Sequence, residues 1–547
     1  MQWKKLSFGA LLGIITAFPI MAIFYLGEQL AGFPFVPFDL LDWLARVLPG
    51  EVITVGIDAI VRLIDTFNLG RTDTTAKIIE QLQAIGMFLG AAALIGAIIT
   101  FRIQRSKENR TGTGLGAEVG VIFFALIALV ELSLTGFTLF FSFIPALIWL
   151  GVILIGWGAL LGRWLVPQTT VFDETGKAAR RDLLVKLLGS SALLAIGSWS
   201  LGRLFSSGGE ETGAGESLAN LQTELPQATL VAAPEPTPNP LVESLPETRG
   251  DFVQVAGTRA EVTPDGEFYR IDINTRPIEI DGESWVLQVE GLFDNPRPLT
   301  LHDLMTNFPA VTQTITIGCI SNRVGGDLIS TAHWTGVRLV DLMTEFGLRP
   351  EAKELFIEAQ DGFFESVAMK DLMDPRTLLV YGMNGQTLPI RHGFPLRIYI
   401  PNRYGMKQPK WITRIEAIDE EGPGYWVQRG WSAKAHPQIV SVIDSVAQND
   451  EVEGKIPVGG IAWAGDRGIV KVEVQVDGGA WEQATLLSPT LSGLTWTLWR
   501  YEWPRQSGRH TFRVRATDGT GTLQIEERQP VRPDGATGYH SYEASIA

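Results

Sequence analysis

The sequence is almost devoid of cysteine, since Cys319 is the only one among 547 residues. A lone cysteine excludes an intramolecular disulfide, a CxxC zinc or redox site and a CxxCH haem attachment. Histidine is scarce as well, and none of the six precedes His302. The N-terminal part therefore lacks the paired histidines of a bis-histidine haem and the cysteines of an iron–sulfur cluster, and we expect neither cofactor in this chain.

Basic residues are also fewer than acidic residues. The chain has 45 Lys and Arg against 60 Asp and Glu, a net charge of -15. Nucleic acid is excluded as a partner, because phosphate binding needs clustered basic residues. At this length, 46% hydrophobic residues and 16 Trp suffice for several buried cores. More than one domain is therefore expected.

Long runs without charge dominate the first two hundred residues. A helix that spans a bilayer needs about 20 apolar residues. One run, 132–162, is too long for a single helix together with the apolar residues before it, so we divide it near Gly136. The predicted spans are 7–27, 81–101, 115–135, 138–162 and a weaker one at 183–205. Residues 1–205 are therefore predicted to be a transmembrane anchor of about five spans.

The stretch between the first two predicted spans, 33–68, contains amphipathic segments such as "LLDWLARVL". Such segments are typical of helices that lie in the membrane interface. Inside the third span, Glu131 is a lone carboxylate. Charge within a membrane is costly, so Glu131 either has a function or lies near the outer interface.

Basic residues predict the orientation of the anchor. Clusters precede the first span, follow the second in "FRIQRSKENR", and lie between the fourth and fifth. With five spans, all three clusters fall on one side, which the positive-inside rule assigns to the cytoplasm. We therefore predict a multi-pass protein of the cell membrane whose C-terminal part is extracytoplasmic.

Residues 178–197, "AARRDLLVKLLGSSALLAIG", resemble a twin-arginine export signal placed inside the chain. The alternative is that Arg180 and Arg181 only satisfy the positive-inside rule. Residues 206–250 are rich in Gly, Glu, Ser and Pro, which predicts a disordered linker.

Residues 251–547 are predicted to form two domains. Short β-type segments alternate with a few helix starts over 251–435, which indicates an α+β domain. From 436 to 547 the pattern is strand and turn, with valines alternating at 470, 472, 474 and 476. This pattern predicts a β-sandwich of immunoglobulin size.

Cys319 lies in "TIGCISNRVGGD", between an apolar strand and a loop with two glycines. A thiolate is a ligand for soft metals, and one suffices where a cofactor supplies the others. Downstream, His392, Arg397 and Lys410 offer cations for a phosphate. Taken singly, Cys319 could be an apolar core residue, His392 a core histidine, and the two cations part of a solvated strand.

Four segments together carry a resemblance: "GCISNRVGGD", "STAHWTGVRLVDLM", "YGMNGQTLPIRHGFPLRIYIPNRYGMKQPKWITRIE" and "GWSAKAHPQI". In this order, and followed by the predicted sandwich, they resemble the sulfite oxidase family of molybdopterin enzymes, from about residue 265 to the C-terminus. The resemblance implies that Cys319 is the protein's ligand to molybdenum, while the pterin dithiolene supplies the other sulfurs.

The same resemblance implies roles for further residues. The catalytic pocket would contain Cys319, Arg323, Trp334 and Trp431. Cofactor contacts would come from Tyr269, Arg270, Cys319, Asn322, Asp361, His392, Arg397, Gln408, Pro409 and Lys410. The chain departs from the family where Val324 replaces a second arginine, where "RIDINTR" replaces an Arg-Asn-His segment and where Trp431 replaces a tyrosine. These departures fall in the anion-binding part of the pocket and leave the substrate open.

The predicted function is oxygen-atom transfer on a small oxyanion or sulfur compound at a molybdenum cofactor. Without haem in the chain, a separate electron-transfer partner is needed, either a cytochrome or a membrane-bound donor or acceptor. The predicted sandwich resembles the family's dimerisation domain and suggests a homodimer. The alternatives are a sulfoxide-type reductase of the same family and a non-catalytic anchored scaffold that has lost the metal.

Overall fold

The computed structural model describes residues 2–106, 111–135, 143–170 and 244–547, together with residues 185, 186, 189, 197 and 242. The described residues fall into two compact units. The first unit draws on Met1–Leu48, Ala76–Glu216 and Ile273–Thr275, and the second on Pro49–Thr75, Ser217–Asp272 and Arg276–Ala547.

Six long or medium helices form the N-terminal part. They are α1 (Gln2–Ala31), α2 (Val36–Val47), α3 (Gly50–Phe67), α4 (Thr72–Arg105), α5 (Gly112–Thr135) and α6 (Ile144–Thr170). Four contain segments long and apolar enough to cross a membrane: Trp3–Ala31, Thr72–Arg105, Gly112–Leu134 and Ile144–Val166. These correspond to the first four predicted spans, including the division near Gly136. Most of the predicted fifth span, of the twin-arginine stretch and of the linker lies outside the described residues.

Close backbone contact joins the apolar helices of the first unit. A Cβ atom at Gly116 in α5 would lie 2.0 Å from the carbonyl oxygen of Gly158 in α6. Small residues allow such approach, which is a common basis of helix packing in membranes. Between α6 and α1, Trp157 Nε1 donates a hydrogen bond to Thr16 Oγ1 at 2.9 Å. Glu131 is buried in α5, four residues before its end.

The α+β part of the second unit contains ten strands and three short helices. The strands are β1 (Val286–Gly291), β2 (Leu299–Thr300), β3 (Ala310–Gly318), β4 (Ile329–Arg338), β5 (Glu354–Ala359), β6 (Phe364–Ala368), β7 (Leu378–Met383), β8 (Gln386–Thr387), β9 (Arg397–Tyr399) and β10 (Ile412–Ile418). The helices are α7 (Leu301–Asn307), α8 (Leu339–Phe346) and α9 (Met369–Leu372). One sheet has the order β2-β1-β10-β5-β6, and the other has β3-β4-β7-β8 with β9 also paired to β7.

A single hydrophobic core lies between these elements. It includes Leu287 of β1, Ile315 of β3, Ile357 of β5 and Leu379 of β7. All six residues of β7 are buried, because strands and helices cover both of its faces. Strand β3 alternates over its first five residues and is fully buried over its last four, so the chain reaches Cys319 from inside the core.

The C-terminal part of the second unit consists of strands and turns. Its strands are β11 (Val440–Val446), β12 (Lys455–Trp463), β13 (Ile469–Val476), β14 (Trp481–Gln483), β15 (Thr485–Leu486), β16 (Thr497–Pro504), β17 (Gly508–Asp518) and β18 (His540–Ile546). They form two antiparallel sheets of four strands, β11-β12-β16-β15 and β14-β13-β17-β18, which share a core. The β-rich character is confirmed, and the immunoglobulin-like assignment stays a prediction.

The C-terminal sheets support the loop that follows Cys319. A Cβ atom at Gly318 would lie 2.9 Å from the ring of Trp463, and one at Gly325 would lie 2.4 Å from the ring of His540. Gly325 also has φ +81°, which disfavours any other residue. Trp496 N donates a hydrogen bond to Thr316 Oγ1 at 2.8 Å. The loop after Cys319 therefore packs between the α+β part and the C-terminal sheets.

A buried ion pair fixes a second loop near the predicted site. Lys407 Nζ lies 2.7 Å from Glu365 Oε1, and Glu365 is completely buried. Burial raises the pKa of Glu365 to about 7, although Lys407 favours its ionised form. Lys407 ends the turn Gly405–Lys407, directly before the predicted cofactor residues Gln408 to Lys410. The pair therefore anchors the loop that carries them.

We expect Lys407→Met to destabilise the second unit. Removing the cation leaves the Glu365 carboxyl group buried without its partner, which typically costs about 3–5 kcal/mol. The measurement is thermal unfolding of the full chain in detergent, followed by tryptophan fluorescence. Lys370→Met is the matched control, because Lys370 is exposed on α9. An equal melting temperature for the two variants would contradict the anchoring role.

Candidate active site

The first end of the candidate site is the Cys319 thiol. Cys319 N donates to Leu328 O at 2.9 Å, and Sγ lies 3.0 Å from Ser321 Oγ. Asn322 Oδ1 accepts from Leu328 N at 3.0 Å and closes the loop. Burial raises the pKa of the thiol, although the Ser321 hydrogen bonds oppose the shift. A thiolate at this position therefore needs a cation such as a metal ion to stabilise it.

Two buried tyrosines lie close to the thiol. Burial, with a contribution from Cys319, raises the pKa of Tyr269 well above its usual value. Burial raises the pKa of Tyr404 to about 12, and Cys319 again adds to the effect. A Cβ atom at Gly405 would lie 3.0 Å from Tyr269 Oη and 3.4 Å from Ile317. Gly405 therefore allows the loop after Tyr404 to approach this end of the site.

An aromatic cluster around Phe268 connects several of the predicted residues. The Phe268 ring stacks on Tyr269 with centroids 5.5 Å apart. It meets the rings of Trp334 and His392 edge-on, at 5.4 and 5.2 Å. Phe268 was missed by the sequence analysis, because an aromatic residue beside Tyr269 has no polar chemistry to mark it.

The second end of the site is a cluster of buried cations. The guanidinium carbon of Arg397 lies 4.8 Å from the Trp334 ring centroid, and its Nη1 donates to His392 O at 3.1 Å. Asp272 accepts from Lys410 Nζ at 3.1 Å and from Arg270 Nε at 2.7 Å. Asp272 is a carboxylate that the sequence analysis missed, and it faces both of these cations.

The charges of this cluster are not balanced. Burial lowers the pKa of Lys410, and Arg270 and Arg397 lower it further, while Asp272 opposes the shift. Burial lowers the pKa of Arg397 to about 10. The pKa of His392 falls well below its usual value through burial and then through Lys410, Arg397 and Arg391. His392 is therefore neutral at pH 7, and the cluster carries excess positive charge.

Several buried polar atoms at this end have no hydrogen-bond partner among the described residues. They are His392 Nε2, Arg397 Nε and Gln408 Oε1. A buried polar atom without a partner typically costs 1–3 kcal/mol, so natural folds rarely retain several together. Gln408 Nε2 is held by Arg403 O at 2.9 Å, and Pro409 O accepts from Ile398 N at 3.1 Å. The Arg397 donor suits an anionic ligand, and the acceptors of Gln408 and neutral His392 suit a ligand that also donates.

Strand register separates the backbones of Trp334 and Cys319. Trp334 pairs with Gln313 on β3, and Cys319 follows six residues later. At a rise of about 3.3 Å per residue, these backbone positions differ by about 20 Å along the strand. Their side chains come closer together, since the charges of both Cys319 and Arg397 shift the pKa of Tyr269. The Trp334 ring contacts Arg397, and its place in the catalytic pocket stays a prediction.

Trp431 and Arg323 lie at the Cys319 end. Trp431 is buried in a cluster with Ile320, which follows Cys319, and with Tyr404. Burial lowers the pKa of Arg323, while Asp58 opposes the shift and Arg62 adds to it.

Asp361 is buried, and its Oδ1 accepts from Phe363 N at 3.0 Å. Its neighbour Gln360 donates to Trp411 O at 2.9 Å, which places Asp361 beside the loop that carries Lys410.

Metal ligation by the protein alone is not indicated. Within 2–106, 111–135, 143–170 and 244–547, no group of three or more His, Cys, Asp or Glu could hold a metal ion. A metal at Cys319 would therefore take its remaining ligands from a cofactor.

Comparison with known proteins identifies the α+β part. Residues 274–426 match the family described as oxidoreductase molybdopterin binding domain. The chain is 29% identical over 326 residues to human mitochondrial sulfite oxidase, an alignment that covers 50% of this chain and 59% of that protein. The chain thus spans 59% of the length of that relative.

Two further proteins are similar to this chain. The sulfane dehydrogenase SoxCD from Paracoccus pantotrophus is 24% identical with a TM-score of 0.46, over 52% of this chain and 82% of that one. The uncharacterized oxidoreductase YuiH of Bacillus subtilis is 32% identical over 161 residues, which cover 29% of this chain and 79% of that protein. This chain belongs to the sulfite oxidase family of molybdopterin-dependent oxidoreductases.

Proposed function

We propose that this protein is a membrane-anchored, extracytoplasmic oxidoreductase that transfers an oxygen atom to or from a small oxyanion or sulfur compound. The observation that carries the proposal is the combination of a lone buried thiol with buried cations. Cys319 shares one core with Tyr269 and Trp334, and the nearby Arg397 retains a buried donor, Nε, without a partner among the described residues.

The residues present fit a molybdopterin cofactor. Its terminal phosphate would take the donor Arg397 Nε, which has no partner among the described residues. Its fused rings would lie near Tyr269, where the charges of both Cys319 and Arg397 are felt. The metal would take its protein ligand from Cys319. A bound molybdenum centre supplies two-electron oxygen-atom transfer, and the protein holds the cofactor and sets the charge around it.

The substrate would approach at the Cys319 end, where Arg323 offers a positive charge and Trp431 an apolar wall. Val324 stands where the resemblance implies a second arginine, so the pocket presents fewer fixed cations than a typical sulfite site. We therefore retain two directions of reaction: oxidation of a sulfur oxyanion, and reduction of a sulfoxide. The proposed protein exchanges electrons with a separate carrier, such as a cytochrome or a membrane-bound donor. It also forms a homodimer through the C-terminal sheets.

The division of the chain into units supports a fifth span. Pro49–Thr75 belongs to the same unit as Arg276–Ala547, so both must lie on one side of the membrane. The chain between them contains three apolar helices able to cross, α4, α5 and α6. Three crossings would leave the α+β part on the opposite side. The predicted span 183–205 would supply a fourth crossing. The α+β part would then lie on the same side of the membrane as Pro49–Thr75.

We expect Cys319→Ser to abolish turnover with sulfite as donor and ferricyanide as acceptor, because serine replaces the soft thiolate ligand. The fold should survive, since the two side chains are nearly equal in size. The assay is run beside molybdenum analysis and tryptophan fluorescence of the full chain. Turnover at the wild-type rate would refute the ligand assignment.

We expect Arg397→Gln to weaken retention of the pterin by about tenfold to a hundredfold, because a charge-assisted hydrogen bond contributes about 1.5–3 kcal/mol. The measurement is pterin fluorescence per chain after repeated buffer exchange. Arg349→Gln is the control, since Arg349 makes an exposed pair with Asp294 far along the chain from the cluster. Equal retention of the pterin in both variants would refute the assignment of its phosphate to the Arg397 end of the site.

Fusions of alkaline phosphatase, which is active only outside the cytoplasm, test the topology. A fusion after Gly250 should be active and one after Thr170 inactive, because the fifth span lies between them. The opposite pattern would invert the proposed orientation, and equal activity would exclude a crossing between the two points.

A further inference from the structure

The helix α3 and the residues after it belong to the same unit as the candidate site. At its first residue, a Cβ atom on Gly50 would lie 2.8 Å from Arg429 Cα. Arg429 ends the turn Val427–Arg429, two residues before Trp431. The start of α3 is therefore in close contact with the segment that carries Trp431.

The residues that follow α3 contact two further parts of the site. Thr72 N donates a hydrogen bond to Asp327 Oδ2 at 2.9 Å, and Asp327 lies in the loop after Cys319. Arg270 N donates to Asp73 Oδ2 at 2.9 Å. Both ends of the segment 50–73 are thus fastened to elements that carry predicted site residues.

Between these contacts, one carboxylate of α3 faces several cations. Asp58 Oδ2 lies 3.7 Å from Arg532 Nη2, and the guanidinium carbon of Arg532 lies 5.3 Å from the Trp431 ring centroid. Asp58 also opposes the fall in the pKa of Arg323, which Arg62 of the same helix promotes. The carboxylate of Asp58 therefore lies close to the guanidinium groups of Arg323 and Arg532.

We infer that α3 forms a wall of the substrate approach at the Cys319 end, and that Asp58 determines which charge of substrate reaches Arg323. The inference rests on the proposed function and deepens it. The three arginines give this approach a positive potential, and Asp58 lowers it by one charge. Asp58 therefore weakens the attraction of every anion, and it weakens that of a dianion more than that of a monoanion, because electrostatic attraction scales with both charges.

The unique cysteine provides a direct test that needs no cofactor. The full chain is produced without molybdopterin, and Cys319 is allowed to react with an anionic sulfonatoethyl or a cationic trimethylammonioethyl methanethiosulfonate. The ratio of the two rate constants cancels the intrinsic reactivity of the thiol. In Asp58→Asn, the anionic reagent should react about threefold faster and the cationic one about threefold slower at low salt, so the ratio rises about tenfold. High salt should remove most of the change.

The control is Glu51→Gln, an exposed carboxylate seven residues earlier on the same helix. An unchanged ratio in Asp58→Asn would overturn the inference, as would an equal change in Glu51→Gln. Equal acceleration of both reagents would also overturn it, because it would show a loosened helix rather than a charge effect. Molybdenum content of the loaded wild-type chain reports the proposed function separately.

A second measurement covers the case in which the buried thiol reacts with neither reagent. In the loaded enzyme, sulfate competes with sulfite for any anion site beside Arg323. Because sulfate is divalent, its inhibition constant should fall about tenfold in Asp58→Asn and stay constant in Glu51→Gln. An unchanged inhibition constant in Asp58→Asn would overturn the inference.

Discussion

Uncompensated positive charge is buried beside Trp334, and the rest of the candidate site is arranged around it. Arg397 and His392 each retain a buried nitrogen without a partner among the described residues. Lys410 and Arg270 share the carboxylate of Asp272. Such an arrangement is costly for an empty protein, and an anionic ligand removes the cost. The family assignment and the charge distribution therefore point to the same occupant, the phosphate of a molybdopterin.

The opposite end depends on backbone geometry rather than charge. Gly318 and Gly325 let the Cys319 loop press against Trp463 and His540 of the C-terminal sheets. The thiol is thereby held at the end of a buried strand, and its raised pKa disfavours a free thiolate. The C-terminal sheets thus contribute to the site by positioning this loop, in addition to any role in dimerisation.

The sequence predicted the family and the apolar helices better than the tertiary contacts of the site. Apolar runs predicted the four helices able to span a membrane, and the ordered motifs predicted the family, while the roles of Cys319, His392, Arg397 and Lys410 stay predictions. The contact of Trp334 with Arg397 could not be predicted, because linear spacing does not reveal which strand positions are opposite each other. Phe268, Asp272 and the Glu365–Lys407 pair were missed, since each acts through tertiary contacts between segments far apart in the chain. Asp58 was missed as well, because it lies some two hundred residues before the predicted site residues in the sequence.

The most direct test of the account is the molybdenum and pterin content of the wild-type chain. The protein would be purified in detergent from a molybdate-replete host, and both components would be quantified per chain. The account predicts about one molybdenum and one pterin per chain, with Cys319 protected from thiol reagents. A chain that holds neither component, and whose Cys319 titrates as a free thiol, would contradict it.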